Sequence, residues 1–164
     1  MTEGPDLHYD PKSVVGPLDR SEIERFETWL GAIGYSDVRF DEEYIHHLDQ
    51  FHGGVPAKRY FRTAMGTEQG IKRFLHFCRM DPADPLWQYS VPATWSLLSD
   101  RMGMYLIPFA ELYAGDMLCF DFERSGPPRV VAWFHERSHS DCEPYTEPVA
   151  ESFHALLGML TDTC

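Results

Sequence analysis

Positive charge is scarce in this 164-residue chain: 14 Lys and Arg stand against 26 Asp and Glu, a formal charge of −12 with histidine neutral. A sequence-neutral grip on a phosphate backbone or an anionic membrane draws on the opposite balance, so nucleic acid and lipid are not expected as partners. Long apolar runs are missing too. Stretches such as Val130-Val131-Ala132-Trp133-Phe134 are strand-sized, well short of the roughly 18 residues a membrane helix needs. The opening Met1-Thr2-Glu3-Gly4-Pro5-Asp6 has neither the positive nor the apolar region of a secretory signal, and cytoplasmic residence is the expectation. The four cysteines, Cys78, Cys119, Cys142 and Cys164, include no Cys-x-x-Cys pair and read as reduced thiols. Gly53-Gly54 lacks the strand, spacing and lysine of a phosphate loop; it reads as a helix C-cap, where glycine supplies the left-handed conformation.

What is present suits one domain. The length matches the common size of a single domain, and 11 Phe, 8 Tyr and 4 Trp supply bulk for a core. Residues 1–20 carry Pro5, Pro11 and Pro17 without apolar periodicity and read as an irregular arm before a domain over 21–164. Ser21 with Glu24 forms a capping-box pattern ahead of Ile23, Phe26, Leu30 and Ile33 at helical spacing. Asp41 opens a second helix, with Glu42 and Glu43 in its first turn and a stripe of Tyr44, Ile45, Leu48 and Phe51. Residues 57–64 and 71–78 read as a hairpin around a Gly66 to Gly70 turn. The state of 86–102 stays open, because Pro92 interrupts it although Thr94 could cap a short helix. Tyr105–Phe109, Asp116–Phe122 and Arg129–Phe134 read as three antiparallel strands. Thr146 is expected to cap a last helix, with Pro148 in its first turn and a stripe of Val149, Phe153, Leu156 and Leu160. Phe26, Leu30, Leu48, Phe120, Val131, Trp133, Phe153 and Leu156 should be buried. Helices flanking a run of strands give an α+β fold with a mainly antiparallel sheet.

Five segments taken in order resemble the SUKH superfamily, which includes the Smi/Knr-like proteins: Phe51-His52-Gly53-Gly54-Val55-Pro56, Leu106-Ile107-Pro108-Phe109-Ala110, Gly115-Asp116-Met117-Leu118-Cys119-Phe120-Asp121, Pro128-Arg129-Val130-Val131-Ala132-Trp133 and Val149-Ala150-Glu151-Ser152-Phe153. The resemblance covers roughly residues 21 to 160. It implies a single α+β domain without catalytic apparatus or cofactor, in which Gly53, Gly54, Pro108, Gly115, Asp116, Cys119, Asp121 and Trp133 are structural motif positions. It also implies a binding module. Many bacterial members neutralise a cognate toxin, often a nuclease or other polymorphic effector, and fungal members regulate cell-wall synthesis. The first reading is therefore an immunity protein that binds its toxin directly, and the second a regulatory or scaffold protein without a toxin partner.

A third reading comes from His135-Glu136-Arg137-Ser138-His139, which matches the His-Glu-x-x-His pattern of zinc hydrolases; a chain of this composition holds about 0.03 such matches by chance. The pattern needs a helix to put both imidazoles on one face, with the glutamate activating water. Here it follows an apolar strand and precedes loop-like Ser140-Asp141-Cys142-Glu143-Pro144, so a strand end running into a solvated loop is preferred and no metal site is assigned. His46, His47 and His52 share the second helix, where 46 and 47 face different ways and cannot chelate together. Cys119 reads as a small core residue and Asp121 as a hydrogen-bonded structural acid. Between Ala57 and Arg79, Lys58, Arg59, Arg62, Lys72, Arg73 and Arg79 face only Glu68, a local +5 in a body carrying −17, and a solvated face is the simpler reading. The acidic excess suits capture of a basic toxin domain. Glu42 with Glu43, and Glu143 with Glu147, are the candidate partner-binding clusters, the second preferred because it adjoins a loop at the sheet's end.

Overall fold

The computed structural model describes residues 6–124, 126–138 and 143–163. Helix α1, Arg20–Ala32, is capped by Asp19, whose carboxylate accepts from the Ser21 amide at 3.0 Å and from its hydroxyl at 2.6 Å. Ser21 thus serves as a donor inside the first turn, and the expected Ser21–Glu24 box gives way to a cap two residues earlier. Helix α2, Glu42–Phe51, is capped by Asp41 through the Tyr44 amide at 2.9 Å, and it buries Tyr44, His47 and Leu48. Gly53, at φ +70°, reverses the chain after it.

Strands β1, Tyr60–Arg62, and β2, Glu68–Phe74, form the hairpin. Its turn lies over residues 63–67, and Gly70 sits inside β2 opposite Tyr60; a Cβ there would stand 2.8 Å from the Tyr113 ring, so the glycine makes room rather than a turn. Helix α3, Val91–Met102, settles the segment that the sequence leaves open. Ser90, not Thr94, is its cap, accepting from the Ala93 amide at 3.1 Å. Pro92 occupies the first turn, where its missing N–H is not needed.

Strands β3, Leu106–Leu112, β4, Met117–Asp121, β5, Arg129–Trp133, and β6, Thr146–Ala150, complete a six-stranded sheet ordered β1 to β6 with every neighbouring pair antiparallel. β6 corrects the expected last helix. Thr146 pairs with Trp133 and Pro148 with Val131 at the sheet's outer strand, a place that tolerates a residue without an N–H. The helix that follows, α4 over Phe153–Met159, is short and capped by Ser152 through the Ala155 amide at 3.0 Å. The sheet curls until the hairpin tip meets this last strand, with the Ala64 amide donating to the Pro148 carbonyl at 2.7 Å.

Alternation along the strands feeds two apolar layers. Leu118, Phe120, Val130 and Ala132 join α1, α2, α4 and the start of α3 in an aromatic core, where Phe109 stacks on Phe120 at 4.2 Å and Tyr44 and Phe153 pack edge-on at 5.1 Å. Met117, Cys119, Val131 and Trp133 face the other way, against Met102. All eight side chains expected in the core are buried. The result is the α+β architecture. The described residues ahead of α1, 6–19, make a short 3-10 turn at Pro11–Ser13, lie against the body and bury Leu7.

Candidate functional site

Several motif positions converge at one end of β4 and β5. Between β3 and β4 the chain makes a tight turn in which Ala114 and Gly115 both have positive φ, +66° and +86°. This delivers Asp116, itself buried, to the end of the sheet. One carboxylate oxygen accepts from the His135 amide at 3.1 Å and lies 2.8 Å from its Nδ1; the other accepts from the Gln69 amide nitrogen at 3.3 Å. The imidazole is thereby oriented with Nδ1–H toward the acid, its edge resting against Gly115. His135–Arg137 is a single 3-10 turn, and at Ser138 the backbone is already extended, φ −122° and ψ 111°. The α-helical turn that a His-Glu-x-x-His site needs is absent, Glu136 is exposed, and His139 lies outside the described residues. The zinc-hydrolase reading loses its scaffold here. Among the described residues no three His, Cys, Asp or Glu side chains gather as metal ligands.

The two acidic clusters fare differently. Glu42 and Glu43 are exposed on the first turn of α2, Glu42 3.6 Å from Arg20 and Glu43 2.9 Å from His154. Glu143 is exposed. Glu147 is only 4% exposed: on β6 it points inward, accepting from Thr63 and Thr67 at 2.6 and 2.7 Å and from the Tyr145 hydroxyl at 2.7 Å. Burial alone would raise its carboxyl, but these hydrogen bonds outweigh it and hold the group below the usual glutamate range. Glu147 therefore pins the hairpin tip to the sheet and is out of reach of a partner. Asp141, from the same acidic stretch, lies outside the described residues.

The basic hairpin is largely matched within the molecule. Arg59 donates to the Tyr113 hydroxyl, Arg62 pairs with Glu68, Lys72 lies 3.8 Å from Glu111, and Arg79 lies 3.4 Å from Glu22. Arg73 donates to the Gly53 carbonyl at 3.0 Å and lies over the Tyr89 ring. Asp121 is buried and accepts from Arg129 Nε at 3.1 Å. Cys119 is fully buried beside Met102, and burial pushes its thiol far above the ordinary range, which removes it as a nucleophile. Cys142 and Cys164 lie outside the described residues. Pro108, at the irregular step in the β3–β4 register, and Trp133 are both buried in the sheet.

Among the described residues, two clefts stand out on the surface. One, of about 660 Å³, lies along the hairpin and is lined by Tyr60, Arg62, Glu68, Gly70, Tyr113 and Met159. The other, of about 460 Å³, lies between α1 and α3, where Trp29 and Leu97 are 44% and 63% exposed. Sequence reasoning did not single out Trp29 or Leu97 as candidate contacts. Trp29 stands beside the Phe26–Leu30 stripe of α1, the one available signal that it lies at the margin of a buried face.

Compared with known proteins, the chain matches the model of the SMI1 / KNR4 family (SUKH-1) over residues 17–159, most of its length. No curated protein and no solved structure matches it significantly.

Proposed function

The chain belongs to the SMI1 / KNR4 family (SUKH-1), and from that premise we propose that it is a protein-binding module of the immunity type, which neutralises a cognate toxin by occupying it and performs no chemistry of its own. The family match across residues 17–159 is the observation that carries this reading. The charge of −12 supports it, since an acidic surface accelerates encounter with a basic toxin domain and repels nucleic acid. Glu42, Glu43 and Glu143 are the exposed acids assigned to steering. Trp29 and Leu97 are the apolar side chains that a partner would cover, as buried aromatics and aliphatics at an interface centre supply most of its affinity. The partner is met in the cytoplasm.

Co-expression with the product of the neighbouring gene tests the reading. Growth restored by the chain, with the two proteins recovered as a complex, is the expected outcome. A neighbour that is harmless, or whose toxicity the chain leaves untouched, would favour a regulatory protein of the Smi/Knr type.

A further inference from the structure

The arm that precedes the family-matched region has a built seat. Its residues 6–16 lie outside the match, yet Leu7 is 1% exposed. The arm runs as a short added strand beside residues 55–58: the Ala57 amide donates to the Leu7 carbonyl at 3.0 Å, the Asp10 amide to the Val55 carbonyl at 3.3 Å, and Tyr9 bridges to Pro56. Further along, the Val15 amide donates to the His52 carbonyl at 2.8 Å and the Ser13 hydroxyl accepts from the Val55 amide at 2.8 Å. The floor is Gly53-Gly54. A Cβ at Gly53 would stand 2.6 Å from Val15 and one at Gly54 2.7 Å from the Tyr9 ring, so both glycines leave the space the arm fills.

Two buried histidines close the seat. His47 Nε2 lies 2.6 Å from the Tyr9 hydroxyl, with Phe51, Phe74 and Phe153 around its ring. His52 accepts from the Phe77 amide at Nε2, 2.8 Å, which leaves Nδ1–H to donate to the Gly16 carbonyl of the arm at 3.2 Å. A proton added at Nε2 of His52 would meet that amide donor head-on. The titratable groups facing His47 are Tyr9 on the arm and His46 on its own helix; those facing His52 are His76 and Cys78 on the segment after β2 and Asp49 on α2.

We propose that residues 6–16 form a releasable strap, and that acidification unseats it through His47 and His52, uncovering an apolar groove over Phe51 and Phe74 and the free backbone edge of residues 55–58. Burial pushes both imidazoles down to about 4 from an ordinary 6.5. Going from pH 7 to pH 5 then favours the open state about twentyfold for each histidine that opening solvates.

Hydrogen exchange on the intact chain tests this. Protection of the Asp10, Val15 and Ala57 amides should fall at least about tenfold between pH 7 and pH 5, after correction for intrinsic rates, and should stay below that of Leu118 and Val131 in β4 and β5 at both pH values, because the arm opens without the sheet. Arm and sheet amides sharing one level of protection at both pH values, or arm amides that do not change, would overturn the strap. Gly54→Ala, at a position without positive φ, should release the arm at pH 7 with the sheet intact; loss of sheet protection as well would make the arm integral to the fold. His47→Gln keeps an acceptor for Tyr9 without a proton site and should shrink the pH response, and an unchanged response would remove His47 from the mechanism.

Discussion

Glu147 shows how a single carboxylate can be consumed by the fold that carries it. Three hydroxyls converge on its two oxygens, two of them from the hairpin turn, and removing the acid takes the acceptor from all three, the Thr63 hydroxyl among them in a buried place. Glu147→Ala is therefore expected to cost about 1–3 kcal/mol in urea denaturation, the usual penalty for unsatisfied buried groups, while leaving partner association unchanged. No loss of stability would mean that the seam is held by something else. The buried histidines give the molecule a second residue-scale signature. His47 and His52 sit near 4 in the fold against 6.5 when solvated, so the unfolded chain takes up protons first as pH falls. Their stabilisation is complete above pH 6.5 and is lost progressively toward pH 4. By pH 5 the loss should reach about 2 kcal/mol for each, read as a falling urea midpoint; a midpoint flat from pH 7 to pH 5 would contradict neutral burial of these rings.

At the scale of elements, α4 shows a helix held by packing rather than by its own propensity. At seven residues it is too short to persist alone, and Phe153 anchors it against Tyr44, His47, Phe109 and Phe120. Phe153→Ala should destabilise by about 3–5 kcal/mol, measured as a shift in denaturation midpoint at unchanged slope; a change under 1 kcal/mol would mean that α4 docks by other contacts. The apolar stripes of α1 and α2 and the runs at 117–121 and 129–133 are local patterns, and these elements were legible in the sequence. β6 was not. Thr146-Glu147-Pro148-Val149 carries the polar cap, acid and proline of a helix start, and only its place at the sheet's outer edge makes it a strand. The same holds for Pro92, ambiguous until Ser90 is seen to cap the helix, and for Gly70, whose role exists only because Tyr113 folds over it. Of the candidate site, the exposed acids at 42, 43 and 143 were visible as charge, but the inward turn of Glu147 depends on a hairpin 80 residues away in sequence.

For the whole molecule the decisive quantity is a net charge of −12 on a body whose basic hairpin is mostly paired internally. The negative field is left to act outward. Under the occlusion proposed above, such a protein would meet a basic partner quickly and hold it through apolar contact, a mode of action that consumes one copy of the chain for each partner blocked. An enzyme that inactivated the toxin would instead turn over. The two are separated by titrating a fixed amount of the cognate toxin with increasing chain and assaying the toxin's residual activity at several times. Occlusion predicts a linear fall to zero at one chain per toxin, independent of incubation time. Progressive loss of toxin activity at a tenth of an equivalent, or residual activity that persists at excess, would contradict it.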